Sequence, residues 1–131
     1  MSEMQCVIVT PERTEVDVRA TSVVLPLFDG EMGILSGHSP LVGRLGYGEL
    51  RIKLADGVAS RYFVEGGFVQ VSGDVVSVLT DRLSDCTKID RQSAEKALDA
   101  ALSIPATKEN AVARDRATSR ARAMMRLVER K

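Results

Sequence analysis

The sequence predicts a mainly β chain with an α appendage: an N-terminal antiparallel β-sandwich of about ten short strands, followed by a C-terminal α-helical hairpin. Three observations carry this. Across residues 4–80, short β-prone runs are separated by turn signals about every eight to ten residues. Within several runs apolar and polar residues alternate, the period of a strand with one wet face. At Ile89 the pattern changes: Ala94, Ala97, Leu98, Ala101 and Leu102 fall on one helical face. The chain divides accordingly into a sandwich domain over 1–86 and a helical hairpin over 87–131.

Met4 to Val9 reads as the first strand, ended by Pro11. Thr14 to Arg19 alternates Val16 and Val18 with charged residues, and Thr21 to Leu27 follows as a more apolar strand. The stretch from Leu25 to Pro40 is then punctuated by Asp29-Gly30, Gly33, Gly37 and two prolines, which exclude helix. Met32, Ile34 and Leu35 lie on this connection. Two readings stay open: the apolar groups stand outward to meet a partner, or a hairpin folds them inward.

Leu41 to Leu45 reads as a short strand broken up by Gly43, Gly46 and Gly48, and Glu49 to Leu54 as an alternating one. Asp56-Gly57 is a hairpin signal on to Ala59–Glu65. Gly66-Gly67 bends the chain, Phe68 to Val71 runs up, Gly73-Asp74 turns, and Val75 to Leu79 runs back. Phe63, Phe68, Val69, Val71, Val76 and Val78 are expected inward or central, each contributing roughly 1.5–3 kcal/mol when fully buried.

Beyond Ile89, Asp90 is an N-cap for the first helix, Glu95 suits its start, and Pro105 prevents its continuation. Thr107 is placed to cap a second helix whose stripe is Ala113, Ala117, Ala121, Met124, Leu127 and Val128. Alanine dominates both stripes, so two helices can approach closely as an αα-hairpin. Alanine also buries little, and helices of this length are marginal alone. The pair is therefore expected to rely on docking and to be able to leave the sandwich.

The chain has 131 residues and 44% hydrophobic content, enough for one compact body with an appendage. Its formal charge is zero but uneven: residues 1–88 hold 8 basic and 12 acidic side chains (net −4), and 107–131 hold 8 and 3 (net +5). A basic tail on an acidic body implies an acidic partner. No run approaches the length of a membrane span, and no signal peptide is read. Cys6 and Cys86 are expected as free thiols in a reducing compartment.

Motifs for chemistry are missing. There is no phosphate-binding loop, and Gly43, Gly46 and Gly48 are wrongly spaced for a dinucleotide fingerprint. His38 has no nucleophile motif around it, no carboxylate pair stands out, and metal-ligand spacing is absent. The expectation is a protein that is not an enzyme and holds no metal. Arg114, Arg116, Arg120, Arg122, Arg126 and Arg130 include two i, i+4 pairs that stack like charges. They read as a solvated face, as phosphate contacts to nucleic acid, or as a contact to an acidic protein surface or bound nucleotide. Without aromatic platforms or a recognition motif, nucleic acid is not expected as a partner.

Leu25-Pro26, Gly30-Glu31-Met32-Gly33-Ile34 and Gly37-His38-Ser39-Pro40-Leu41 follow a pattern at specific spacing. Glu65-Gly66-Gly67-Phe68-Val69 and Val76-Ser77-Val78-Leu79-Thr80-Asp81 supply a second block. Together they resemble the epsilon subunit family of the F-type ATP synthase, named delta in mitochondria, over roughly residues 4 to 131. The resemblance implies a non-catalytic subunit of the central stalk, bound to the gamma subunit and the c-ring, that couples them during proton-driven ATP synthesis. It implies a peripheral place on the cytoplasmic face of the bacterial inner membrane, with the membrane met only through the complex.

It further implies that Glu31, Met32, Gly33, Ile34, Leu35 and His38 face the rotor ring. On that reading, aspartate at Ile34 and Leu35 weakens ring binding while the sandwich stays folded. The helices are expected to extend towards acidic surface of the alpha and beta subunits through Arg114, Arg116, Arg120, Arg122 and Arg126, and to restrain ATP hydrolysis. Some relatives bind ATP on the hairpin through Ile/Leu-Asp-x-x-Arg-Ala. Here Ile89, Asp90, Arg122 and Arg126 would form a degenerate site, since Ser93 stands at the motif arginine and cannot replace a guanidinium fork. No cofactor is therefore expected. The alternative is a stand-alone sandwich module whose basic helical tail binds an acidic protein or nucleic acid.

Overall fold

The structure is a computed structural model that describes residues 3–129. It has seven strands, a 3-10 turn and two helices in chain order: β1 (Met4–Val9), β2 (Thr14–Leu27), β3 (Gly30–Leu35), β4 (Leu41–Leu54), β5 (Ala59–Ser72), β6 (Val75–Leu79), β7 (Leu83–Asp85), the turn (Cys86–Lys88), α1 (Arg91–Leu102) and α2 (Ala111–Glu129). One compact unit ends at Ser84 and a second begins at Asp85. Arg130 lies outside the described residues.

The strands run in the order β1-β6-β5-β4-β2-β3, with β7 on β5 and a further pairing of β1 with β2. The first half of β2 pairs β1, from Ala20 to Thr14; its second half pairs β3 and β4. The sheet thus closes on itself around one core, as a sandwich with a barrel-like seam. β1 runs parallel to β6, whereas the β1–β2, β2–β3, β2–β4, β4–β5 and β5–β6 pairings are antiparallel. Met4, Ile8, Val23, Leu25, Leu50 and Ile52 are among the fully buried core side chains.

Seven strands stand where about ten short ones were expected, because three of them are 14 residues long. Thr14–Arg19 and Thr21–Leu27 are one strand. Gly43, Gly46 and Gly48 do not break β4; they let β2 lie against it. A Cβ on Gly48 would stand 2.9 Å from the Pro26 ring, and one on Gly46 would stand 3.2 Å from the Leu27 carbonyl oxygen. Gly66 and Gly67 do bend β5, with φ of 72° and 112°. A Cβ on Gly67 would come within 2.8 Å of Thr80 Cα, so the bend also seats the end of β6 closely. Thr80 locks that corner: its hydroxyl donates to the Gly66 carbonyl at 2.7 Å.

The Gly66-Gly67 bend shifts the face count along β5. Beyond it Val69 and Val71 point inward and Phe68 points out, 61% exposed, which corrects the expectation that it is core. Val69, Val71, Val76 and Val78 are in the core as expected; Phe63 is buried too, but on the face of its register partner Glu49 and outside the core cluster. Cys6 and Cys86 are free and buried, and burial pushes the Cys6 thiol up to about 12. At that value the thiol stays protonated and inert.

In the second unit, Asp90 caps α1. Its carboxylate accepts from the Ser93 N–H at 2.7 Å, and the Ser93 hydroxyl oxygen accepts from the Asp90 N–H at 3.3 Å, a reciprocal capping box. The second helix starts later than expected. Thr107 Oγ1 accepts from Asn110 N–H, capping a turn ahead of the helix, and the Asn110 carbonyl takes the Arg114 N–H. Ala94 and Ala101 are buried on α1, and Ala121, Ala123, Met124 and Leu127 on α2. Leu102 and Ala113, expected on the stripes, are exposed. No helix among the described residues is long and apolar enough to cross a membrane.

Candidate functional site

The connection from Leu25 to Pro40 is a hairpin rather than a loop. Leu27 pairs Gly30 across the Phe28-Asp29 turn, and Gly30 takes φ 139°, which a side chain would strain. Along β3 the side chains alternate. Met32 is half-buried and Ile34 fully buried in the core, while Glu31, Gly33 and Leu35 face out. Leu35 is 63% exposed.

Neither open reading of this stretch holds for all of it. Ile34 leaves the expected contact set, because its side chain is part of what holds the sandwich together. Aspartate there would unfold the protein rather than test an interface.

His38 stands at the end of the turn after β3. Its N–H donates to the Leu35 carbonyl at 3.1 Å, and Nδ1 donates to the Ser39 carbonyl at 2.6 Å. That bond fixes the tautomer and ring orientation, a structural use of the imidazole. The neighbouring Ser36 hydroxyl donates to Asp74, tying the turn to the one before β6.

A second feature was not expected. Phe28, Val42, Phe68 and Leu79 are exposed by 66%, 75%, 61% and 55%, and all are large and apolar. The register joins them: Phe68 pairs Leu79 on one side and Arg44 on the other, and Val42 lies two residues before Arg44 on the same face. Phe28 donates its N–H to the Arg44 carbonyl at 3.0 Å, and the Arg44 guanidinium carbon lies 5.8 Å from the Phe28 ring centroid. The result is an apolar strip across β4, β5 and β6 with one cation at its centre. The sequence signal for it was the Gly66-Gly67 pair, which resets the face count.

A third feature is ionic. Glu49 is buried, yet charged. Arg51 Nη1 donates to one carboxylate oxygen at 3.0 Å, and Arg61 donates to the other. Burial pushes the carboxyl up, but the two arginines outweigh it and hold Glu49 below the usual carboxylate value of 4.5. Arg51 also reaches Glu31 at 3.4 Å.

The arginines of α2 do not share one face. Arg116 and Arg120 lie about a third of a turn from Arg122 and Arg126, since six residues separate corresponding members. Arg116, Arg122 and Arg126 are exposed, and Arg120 is half-buried. Arg114 is half-buried and donates from Nε to the Ile104 carbonyl at 3.0 Å, so it clasps the connection between the helices. In the expected nucleotide set, Ile89 is buried and the Asp90 carboxylate is engaged by the cap. Among the described residues no cluster of three or more His, Cys, Asp or Glu side chains is arranged to hold a metal.

Comparisons with known proteins agree with one another over most of the chain. Residues 3–85 match the family model described as ATP synthase, Delta/Epsilon chain, beta-sandwich domain. The ATP synthase epsilon chain of Rhodopirellula baltica is 50% identical over 124 residues, covering 94% of this chain and 96% of the relative. That of Synechococcus sp. is 37% identical over 125 residues, covering 93% and 90%. Among solved structures, a chain of the Euglena gracilis mitochondrial ATP synthase OSCP/F1/c-ring assembly superposes with a TM-score of 0.87 at 22% identity, covering 96% of this chain and 81% of that one. A chain of the Tetrahymena thermophila mitochondrial ATP synthase central stalk/c-ring assembly gives 0.76 at 16% identity, covering 97% of each. At these identities the superpositions speak to the fold.

Proposed function

The chain belongs to the ATP synthase delta/epsilon family, and from that premise we propose that it is a non-catalytic central-stalk subunit of a rotary ATP synthase. It binds the gamma subunit and the c-ring and carries rotation between them during proton-driven synthesis. Its place is peripheral, on the cytoplasmic face of the bacterial inner membrane, held there by the complex. The observation that carries the reading is the exposed apolar strip on an otherwise well-packed sandwich. Phe28, Val42, Phe68 and Leu79 lie in water only at a cost, and a permanent partner removes it.

Two surfaces divide the work. The strip, with Arg44 at its centre, docks the gamma subunit. The outward side of the β2–β3 hairpin, Glu31, Gly33 and Leu35, together with the turn ending at His38, faces the ring. Met32 supports the hairpin from its half-buried side.

The helical unit restrains ATP hydrolysis by presenting Arg116, Arg122 and Arg126 to acidic surface on the alpha and beta subunits. It binds ATP weakly or not at all. Ser93 closes the α1 cap instead of offering a guanidinium, and the Asp90 carboxylate is occupied there. The family and the lack of any aromatic recognition surface on α2 weigh against the nucleic-acid alternative.

The test is reconstitution. ATP synthase stripped of its epsilon chain is restored with the full chain, with Leu35→Asp, or with a chain ending at Lys88. The full chain restores coupling of proton flow to synthesis, Leu35→Asp restores it poorly, and the shortened chain restores coupling while hydrolysis rises. Full coupling by Leu35→Asp overturns the ring contact. Unchanged hydrolysis with the shortened chain overturns the braking role.

A further inference from the structure

Across the outer side of β3, β2, β4 and β5 runs a ladder of four charges that the docking surfaces do not explain. Arg51 and Arg61 are register partners on β4 and β5. Two guanidiniums directly opposite one another repel. Glu49, two residues before Arg51 on the same face, accepts from both and is itself buried. Arg51 Nη1 then extends over β2, where Val24 is its register partner, to Glu31 Oε2 on β3. The chain of contacts therefore starts in the sheet and ends on the outward side of the hairpin.

An isolated exposed ion pair contributes little, because two long side chains must be ordered to form it. Here one partner is ordered beforehand. Glu49, itself held by Arg61, holds the Arg51 guanidinium from behind, so the last contact needs mainly the ordering of Glu31.

We propose that Arg51 is a positioning residue for the ring-facing hairpin. It sets where the Glu31 carboxylate stands, and Glu31 meets hydrogen-bond donors or a basic group on the exposed loops of the ring. This rests on the reading of the hairpin as ring-facing. Glu49 acts one step further back by fixing Arg51, and Arg61 a step behind that by holding Glu49.

The test is a double-mutant cycle on the full chain, titrated into ATP synthase stripped of its epsilon chain, with restored coupling as the readout and the thermal midpoint of each free variant measured alongside. Arg51→Met weakens assembly by about two- to fivefold when Glu31 is present and has no further effect in the Glu31→Gln background. Arg51→Lys keeps part of the affinity, and it also replaces Arg51→Met should that variant not fold.

An equal loss in both backgrounds overturns the inference, since Arg51 would then act on the sheet alone. Unchanged affinity of Glu31→Gln overturns it as well. In that case Leu35→Asp separates the two claims: weakened assembly keeps the ring-facing reading, and unchanged assembly removes that too.

Discussion

The sandwich and the helical unit are stabilised by different side chains. The sandwich buries Ile8, Val23, Leu25, Leu50 and Ile52 completely, each worth roughly 1.5–3 kcal/mol. The two helices bury mainly alanine: Ala94, Ala101, Ala121 and Ala123, with Met124 and Leu127 as their larger members. Alanine permits close helix approach but removes little surface from water. One region is thus a rigid frame, and the other sits at the low-stability end where conformational change is drawn from. The function proposed above, a body fixed to a rotor with a tail that rearranges, would make use of this inequality.

The largest expected effect lies inside the frame. Ile34→Asp buries a carboxylate without a partner in the core and is expected to cost more than about 4 kcal/mol, enough to unfold the sandwich in a denaturant titration. Leu35→Asp, the next residue but on the outward face, is expected to stay within about 0.5 kcal/mol of the parent. Equal effects at the two positions would break the face assignment of β3.

Much of this was legible in the sequence. The Asp29-Gly30 and Asp56-Gly57 turns, the change of period at Ile89 and the Asp90 cap all rest on local chemistry, and local chemistry shows in a single chain. What was not legible depends on contacts across the fold. Gly46 and Gly48 look like turn glycines, yet they serve the close approach of β2. Phe68 looks like a core aromatic, yet Gly66-Gly67 turns it outward. Arg114 looks like one of a series of surface arginines, yet the Ile104 carbonyl in the connection between the helices claims it. In the candidate site, the residues alone left Met32, Ile34 and Leu35 open between outward and inward, the resemblance put Glu31, Ile34 and Leu35 in one set without separating them, and the strip around Arg44 was missed because its members come from distant strands.

In the helical unit, the cap provides a sharper comparison. Asp90→Ala removes the acceptor for the Ser93 N–H and is expected to cost about 1 kcal/mol. The loss should appear as faster amide exchange in α1 and α2, with β4 and β5 unchanged. Matching acceleration in the strands would mean the two regions unfold together.

The smallest effect is on pH dependence. Glu49 sits below its ordinary value of 4.5 in the folded chain. Its contribution is therefore complete above that value and is lost as pH falls further, through the lowered folded-state value. Glu49→Gln should flatten the acid limb of the stability curve below about pH 4.5 while leaving its shape at neutral pH. An acid limb as steep as the parent's would assign the acid sensitivity to other carboxylates.

The claim beneath all of this is that the outward apolar side chains of the sandwich are there for a partner and not for the fold. The affinity of Phe68→Asp for ATP synthase stripped of its epsilon chain tests it most directly. The account predicts an unchanged thermal midpoint and a loss of affinity of at least about tenfold, as for a buried aromatic anchor. A folded variant that binds as tightly as the parent would contradict it.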